Sequence, residues 1–359
     1  MRDHVMLRFL LCSCTVLGSI CFVPAERTGL SFFSDRVHAA NPVRNDPKTR
    51  QAIERGMKWL TSAIHRDGTV GADQYHLPDL GCTSMVGLVL LAEGSTPREG
   101  QYQKQSRAVL YGVLDLVESR PLNRSPQEVT LIQRKIGMNA DVFLATLYLS
   151  QVYYDAPGEE KAIRAALDRL VEHICLTQGK DGTWGNESWA PILGTILGWE
   201  SLRAASSAGL KIEASEQLVG QALIKKLQSQ PDVKQNWMHQ FYKEAAAVRV
   251  LYSMGYRDQP EFQECVDQIL KTVKTEHRIF RFAGGEEYLA FYFITECMLK
   301  GEDRSWKDWY PQVRDGFLRT QNRDGSWKGH HCITDRTFCT AGVLLTLLSP
   351  NFSLPMSDL

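Results

Sequence analysis

An all-α ring of six helical hairpins, an (α/α)6 toroid, is the fold class that this 359-residue sequence predicts. Three observations carry the prediction. Two helical segments joined by an Asp-Gly turn form one phrase, and that phrase is written three times along the chain. Six pairs of apolar, helix-period segments follow one another at a spacing of about 50 residues. The second segment of each pair is more apolar than the first, as an inner and an outer wall require.

The last pair states the phrase most fully, in VRDGFLRTQNRDGSWKGHHCITDRTFCTAGVLLTLL from Val313 to Leu348. Asp324-Gly325 supplies a tight turn and Gly329 a second break. CLTQGKDGTWGNESWAPILGTILGWESL repeats it around Asp181, and WLTSAIHRDGTVGADQYHLPDLGCTSMVGLVLLAEG around Asp67. Taken in order, the first hairpin pairs 49–64 with 80–94, where Gly94 reads as a C-cap. The second pairs 106–119 with 138–154 across a connection holding Pro121 and Pro126, and its turn lacks Asp-Gly. The third pairs 161–176 with 189–205, the fourth 215–230 with 241–255, and the fifth 260–274 with 284–301. First segments keep their Lys, Arg, Asp and Glu on one face and belong outside; second segments such as LGCTSMVGLVLL and TFCTAGVLLTLL belong inside. A closed ring leaves no solenoid end to cap.

The 41 basic and 41 acidic residues are interspersed, with no basic run. That removes the electrostatic footprint of a nucleic-acid binder. The start, MRDHVMLRFLLCSCTVLGSICFVPAERTG, has a basic beginning, an apolar run from Val5 to Val23 broken by Arg8, and Val23-Pro24-Ala25 at its exit. Residues 1–25 therefore read as a signal peptide, which expects an exported protein, whether periplasmic, cell-surface or secreted. Left uncleaved, the same segment would associate the chain with a membrane. Residues 26–48, with Pro42 and Asp46-Pro47, read as a linker, 49–350 as the ring, and 351–359 as a tail. Cleavage leaves Cys82, Cys175, Cys265, Cys297, Cys332 and Cys339, whose spacing shows no compact disulfide framework.

QGKDGTWG at 178–185 and QNRDGSWKG at 321–329 resemble the QW repeats of the squalene-cyclase and prenyltransferase repeat proteins, the terpenoid cyclase-like toroids; HRDGTVG at 65–71 is a degenerate third copy. Period and helix count extend the resemblance over 49–350. It implies structural roles for Gln178, Trp184, Gln321 and Trp327, the amide bonding backbone of a neighbouring helix and the indole packing against it. Asp67, Asp181 and Asp324 need no catalytic role, since Asx turns explain an Asp before Gly. The resemblance also implies chemistries whose signatures this sequence lacks. There is no DxDD acid of the cyclases, no DDxxD of class I terpene synthases, and GCTSM at 81–85 stands in place of the thioester GCGEQ. Protein prenyltransferases hold zinc with an Asp and a Cys two apart before one inner helix and a His opening another. Here GGEEYLAFY has no Cys, and Phe338 stands where the His should be.

Residues just before and inside the second helices face one end of the ring. They include Asp79 and Cys82, Asn139 and Asp141, Trp189, Tyr242, the Glu286-Glu287-Tyr288 run, and His330, His331, Asp335 and Cys339. Helix capping explains each acid singly. It does not explain why acids, histidines and aromatics recur at the same end. The candidate catalytic residues are thus Glu286, Glu287, Asp335, Asp141 and His331, with Trp189, Tyr242, Tyr288 and Phe291 as candidate ligand-lining residues. In GGEE two adjacent carboxylates are placed to share a proton. The HHC run at 330–332 offers zinc-compatible donors in a spacing that matches no standard site, so neither metal nor cofactor is expected. With the catalytic signatures absent, the sequence points first to an exported binding or scaffold protein for a hydrophobic isoprenoid or a saccharide. The alternatives are an isoprenoid-cyclising or isoprenoid-modifying enzyme with a non-standard acid, and a polysaccharide-active lyase or hydrolase.

Overall fold

Two burial patterns alternate along the chain, and the alternation builds the ring. The computed structural model describes residues 46–350 apart from 73–75, 124–128, 186–189, 229–236 and 301–303. Fourteen α-helices run through the described residues, with no strand among them. In α1 (Pro47–Ser62) the buried residues Ala52, Gly56, Met57 and Leu60 form one stripe, as do Phe262, Val266, Ile269 and Val273 in α10 (Pro260–Thr275). In α2 (Leu80–Glu93) and α14 (Arg336–Leu348) nearly every residue is buried, whichever way it faces. A helix buried all round must be enclosed by others.

Six helices are enclosed in this way along most of their described residues: α2, α5 (Ala140–Val152), α7 (Pro191–Ser207), α9 (Trp237–Ser253), α12 (Gly285–Lys300) and α14. Each packs against the next, and α14 packs against α2, so they close a ring. Outside it lie α1, α3 (Gln103–Ser119), α6 (Glu160–Thr177), α8 (Glu213–Gln228), α10 and α13 (Arg304–Thr320). Two short helices, α4 (Leu131–Ile136) and α11 (Ile279–Phe282), occupy two of the three connections that lack the Asp-Gly turn, the second and the fifth. Each outer helix packs chiefly on the inner helix before it in the chain, not on its own hairpin partner. By that rule α1 has no predecessor, and it packs instead on α14, the last inner helix. Asp46 caps α1 by accepting the amide of Thr49 at 3.1 Å, so this helix starts at Pro47, two residues ahead of the expected Thr49. Residues 1–25, read from the sequence as a signal peptide, and the tail from 351 lie outside the described residues, among which no helix is long and apolar enough to cross a membrane.

The repeated turns lock neighbours together. In each, the Asp side chain accepts the amide two residues on: Asp67 from Thr69 at 3.0 Å, Asp181 from Thr183 at 3.1 Å, and Asp324 from Ser326 at 3.1 Å. The glycine that follows is left-handed, with φ of 83°, 81° and 95° at Gly68, Gly182 and Gly325. Each glycine also lies flat against the next outer helix. A Cβ would sit 1.8 Å from the carbonyl oxygen of Ala108, 2.3 Å from that of Leu218 and 2.4 Å from that of Arg55, respectively. The Gln178 amide donates to the carbonyls of Gly182 and Ser215, both at 3.1 Å, and Gln321 donates to Ala52 at 2.8 Å and Gly325 at 2.9 Å. The indole N–H groups of Trp184 and Trp327 bond the carbonyls of Ile174 at 2.8 Å and Phe317 at 2.9 Å. In the degenerate copy Val70 takes the indole's place. Its amide bonds the Thr83 hydroxyl at 3.0 Å, as the Trp327 amide bonds Thr340 at 2.9 Å.

Inside the ring, Arg249 of α9 grips Glu200 of α7 through two nitrogens, at 2.8 and 2.9 Å, and Glu296 of α12 at 3.3 Å. All three side chains are fully buried. The Tyr292 hydroxyl completes the group by donating to Glu296 at 2.9 Å.

Trp327 is fully buried, and its ring lies against Gly56 of α1. Trp327→Ala is expected to cost about 3–5 kcal/mol in denaturant unfolding. A midpoint equal to that of the wild type would show that the last turn does not close the ring.

Candidate functional site

Because every inner helix runs the same way, their first turns gather at one end. Asp79 caps α2, accepting the amide of Cys82 at 2.7 Å, and Asp335 caps α14, accepting the amide of Phe338 at 3.0 Å. As caps these are ordinary. Their burial is not, for Asp79 is 4% and Asp335 9% exposed, whereas caps usually splay into water. The Cys82 thiol donates to Asp335 Oδ2 at 3.2 Å, joining the two adjacent helices. The second oxygen of Asp79 is buried and accepts no hydrogen bond among the described residues. Burial, opposed by hydrogen bonds from Phe338, Cys82 and Thr337 and reinforced by Asp79, pushes the Asp335 carboxyl up to about 7. The same two acids, added to burial, push the Cys82 thiol well above its ordinary range. Asp141, at the start of α5, is buried beside Gly81 and accepts the amide of Val142 at 3.0 Å.

A second group lies one helix on. The loops ahead of α12 and α14 are tied by backbone bonds from Gly285 to Ile333 at 2.9 Å and from His330 to Ala283 at 2.8 Å. This seats Glu286 to accept the Ile333 amide at 3.2 Å and Glu287 to accept the Gly284 amide at 2.6 Å. A Cβ on Gly284 would meet the His331 carbonyl at 2.5 Å and a Glu286 carboxylate oxygen at 2.7 Å, so only glycine fits between the loops. The His331 ring stands between the carboxylates, Nε2 3.5 Å from Glu287 and Nδ1 3.9 Å from Glu286. Burial first, and the Glu287 charge second, push Glu286 up to about 7. Cys332 hydrogen-bonds Glu286, and burial with that carboxylate pushes its thiol up to about 12. Cys339 lies between the groups; burial raises its thiol most, with Asp335, Glu286 and Glu287 adding to the effect.

Glu286, Glu287, His331, Asp335 and Asp141 thus all lie at this end of the inner ring, the first three in direct contact, Asp335 at the head of α14 beside α12, and Asp141 on α5, beyond α2. The aromatic candidates are placed differently. Phe291 stacks on Phe280 at 5.3 Å and packs edge-on against Phe317 at 5.3 Å, with Trp309 at 5.8 Å. That block fills the space between the inner and outer helices, so packing accounts for the ring. Tyr288 also turns toward Phe317, at 5.7 Å. Trp189 and the Tyr242 side chain lie outside the described residues. The contact of Cys82 with Asp335 had no sequence signal, since 253 positions separate them.

With this geometry in view, comparison with solved structures is informative. One similar structure is a variant of the type II terpene cyclase MstE from Scytonema, in complex with its substrate geranylgeranyl dihydroxybenzoate. It is 16% identical at a TM-score of 0.52, over 88% of this chain and 99% of that one. Another is an α-1,6-mannanase, GH76A of Salegentibacter sp. HEL1_6, in an inactive form with two adjacent aspartates changed to asparagine and with α-1,6-mannotriose bound. It is 10% identical at a TM-score of 0.53, over 85% of this chain and 100% of that one. The ring is an (α/α)6 toroid. At such identities the likeness is one of fold, and no protein-family model and no curated protein matches the sequence.

The buried acid has a consequence for stability. An Asp at about 7 when folded and about 3.9 when unfolded holds its proton more tightly in the folded chain between those values. The unfolded chain loses its proton first, so this group's contribution falls as pH rises from about 4 to about 7 and is fully lost above that. Asp335→Asn keeps the capping oxygen and cannot ionise. Between pH 4 and pH 8 its stability relative to the wild type is expected to improve by up to about 4 kcal/mol in urea titrations. A pH-independent difference would mean that Asp335 titrates as an exposed acid.

Proposed function

We propose that the chain is an enzyme that transfers a proton to an uncharged substrate at this end of the ring, with Asp335 as the donor. The supporting observation is the pairing of two buried carboxyls, on adjacent inner helices, through one residue: the Cys82 amide donates to Asp79 and the Cys82 thiol to Asp335. Asp335 holds a proton near neutral pH, and Asp79 keeps an unoccupied oxygen to receive one. A donor and an acceptor side by side are the parts of general acid–base catalysis.

A carboxylic acid near 7 suits an oxygen leaving group, whose basicity rises as its bond to carbon breaks. Protonating a carbon–carbon double bond demands a much stronger acid. The leading reading is therefore cleavage of a glycosidic bond, with Asp335 protonating the departing oxygen and Asp79 activating water. The mannanase of the same fold, inactive once two adjacent aspartates are replaced, is consistent with this, as is the expected export of the chain. The isoprenoid reading keeps one observation in its favour, the Gln–Trp turns that resemble those of the squalene cyclases. Either reading sets aside the non-catalytic scaffold that the missing motifs suggested.

Incubation of the full chain with α-1,6-mannotriose and with geranylgeranyl dihydroxybenzoate separates the readings. Release of new reducing ends is expected, with kcat falling about 100-fold or more in Asp335→Asn. Activity is expected to decline as pH rises through about 7, where the donor loses its proton. Consumption of the isoprenoid alone would move the acid's target to an alkene. Turnover of neither by folded protein would return the chain to the scaffold reading.

A further inference from the structure

Glu286, His331 and Cys332 each aim one donor atom at a common point, the three atoms lying within 4.8 Å of one another. From this convergence we propose that the loops ahead of α12 and α14 bind a first-row transition-metal dication, zinc being the best match, through Glu286, His331 and Cys332.

The donor types select the metal. A thiol, an imidazole and a carboxylate together suit zinc and its neighbours, whereas calcium and magnesium take oxygen alone. Bonds of about 2.0–2.3 Å require the donors to stand about 3.3–3.8 Å apart, so the set must close by about 1 Å. His331 and Cys332 are only partly buried and can rotate inward, while Glu286 is 2% exposed and held by the Ile333 amide.

The surroundings orient the ligands. His331 faces Glu286 with Nδ1 and Glu287 with Nε2, and Glu287 is itself fixed by the Gly284 amide. Nδ1 is thus the ligating nitrogen, and Nε2, 3.5 Å from Glu287, is placed to donate to it once the ring turns inward, the carboxylate–histidine–metal relation that sets a ring's tautomer and orientation. Cys332 is the one non-glycine residue with positive φ among those described, at 51°, a conformation that costs energy and persists where surroundings impose it. On binding, the Cys332 thiol gives its proton to water and ligates as thiolate, and Glu286 ligates as carboxylate. Two buried carboxylates side by side, with His331 between them, are a charge arrangement that a dication balances. Lys135 is near enough to favour the Cys332 thiolate.

This donor set differs from the one the prenyltransferase resemblance implies. The thiol and imidazole here are adjacent in one loop, and Phe338 stands where that family's inner-helix histidine should be. Neither Asp79 nor Asp335 belongs to it, so the site stands or falls apart from the proposed acid.

Cobalt(II) titration of the full, folded chain tests the proposal without any substrate. One equivalent is expected to bind with an intense thiolate-to-cobalt charge-transfer absorption, displaced by zinc. Cys332→Ser should abolish that absorption, and Glu286→Gln and His331→Ala should each weaken binding at least 10-fold. Cys339→Ser and Asp335→Asn should bind as the wild type does. Circular dichroism of each variant checks the fold, and Glu286→Gln serves if the cysteine variant fails to fold. Absence of stoichiometric binding by the wild type, or a thiolate band that survives in folded Cys332→Ser, would overturn it.

Discussion

Ring closure is the constraint from which the rest follows. An outer helix here rests on the inner helix before it, so the first outer helix has a partner only if the last inner helix returns to it. The turn of the sixth hairpin makes that join: Gln321 bonds the Ala52 carbonyl, Gly325 lies on the Arg55 carbonyl, and Trp327 fills the space over Gly56. At the same end the Thr337 amide bonds the Ala72 carbonyl at 3.1 Å, tying the start of α14 to the approach to α2. That join holds Asp335 against Cys82. A closed ring thus creates a contact between residues at opposite ends of the chain, and the candidate acid exists only because of it.

Closure also concentrates charge. Six helix N-termini at one end attract acids, since backbone dipoles and free amides stabilise carboxylates there. Packing those ends side by side removes the water that would otherwise screen them. Capping amides lower the acids' pKa while burial raises it, and for Asp335 and Glu286 burial prevails. Around Arg249 two buried glutamates share one guanidinium, which offsets part of their charge within the protein. At the other end, acids outnumber the bases that face them, a costly arrangement that a proton and a cation would each relieve.

Local features were legible in the sequence and distant ones were not. The three Asp-Gly turns are formed by residues two apart, and their Asx bonds follow from residue type. Inner and outer helices separated by composition, because an enclosed helix must be apolar on every side. For the same reason Phe291 was misplaced: a helix apolar all round has no periodicity to say which face meets the axis, and the ring turned toward Phe280 and Phe317. Hairpin spacing likewise gave no sign that outer helices prefer the preceding inner helix. One signal was present and went unread. Glu200, Arg249 and Glu296 are lone charges in otherwise apolar stretches of three inner helices, which demands that they meet.

The central claim is that the folded ring keeps one carboxyl protonated at neutral pH without a bound ligand. Infrared titration of protein labelled with 13C at aspartate carboxyls, compared with Asp335→Asn, reads this directly. A protonated-carboxyl band that disappears with a midpoint near 7, and is missing from the variant, is the predicted result. Loss of every aspartate band by about pH 5 would contradict it, leaving Asp335 as a helix cap and nothing more.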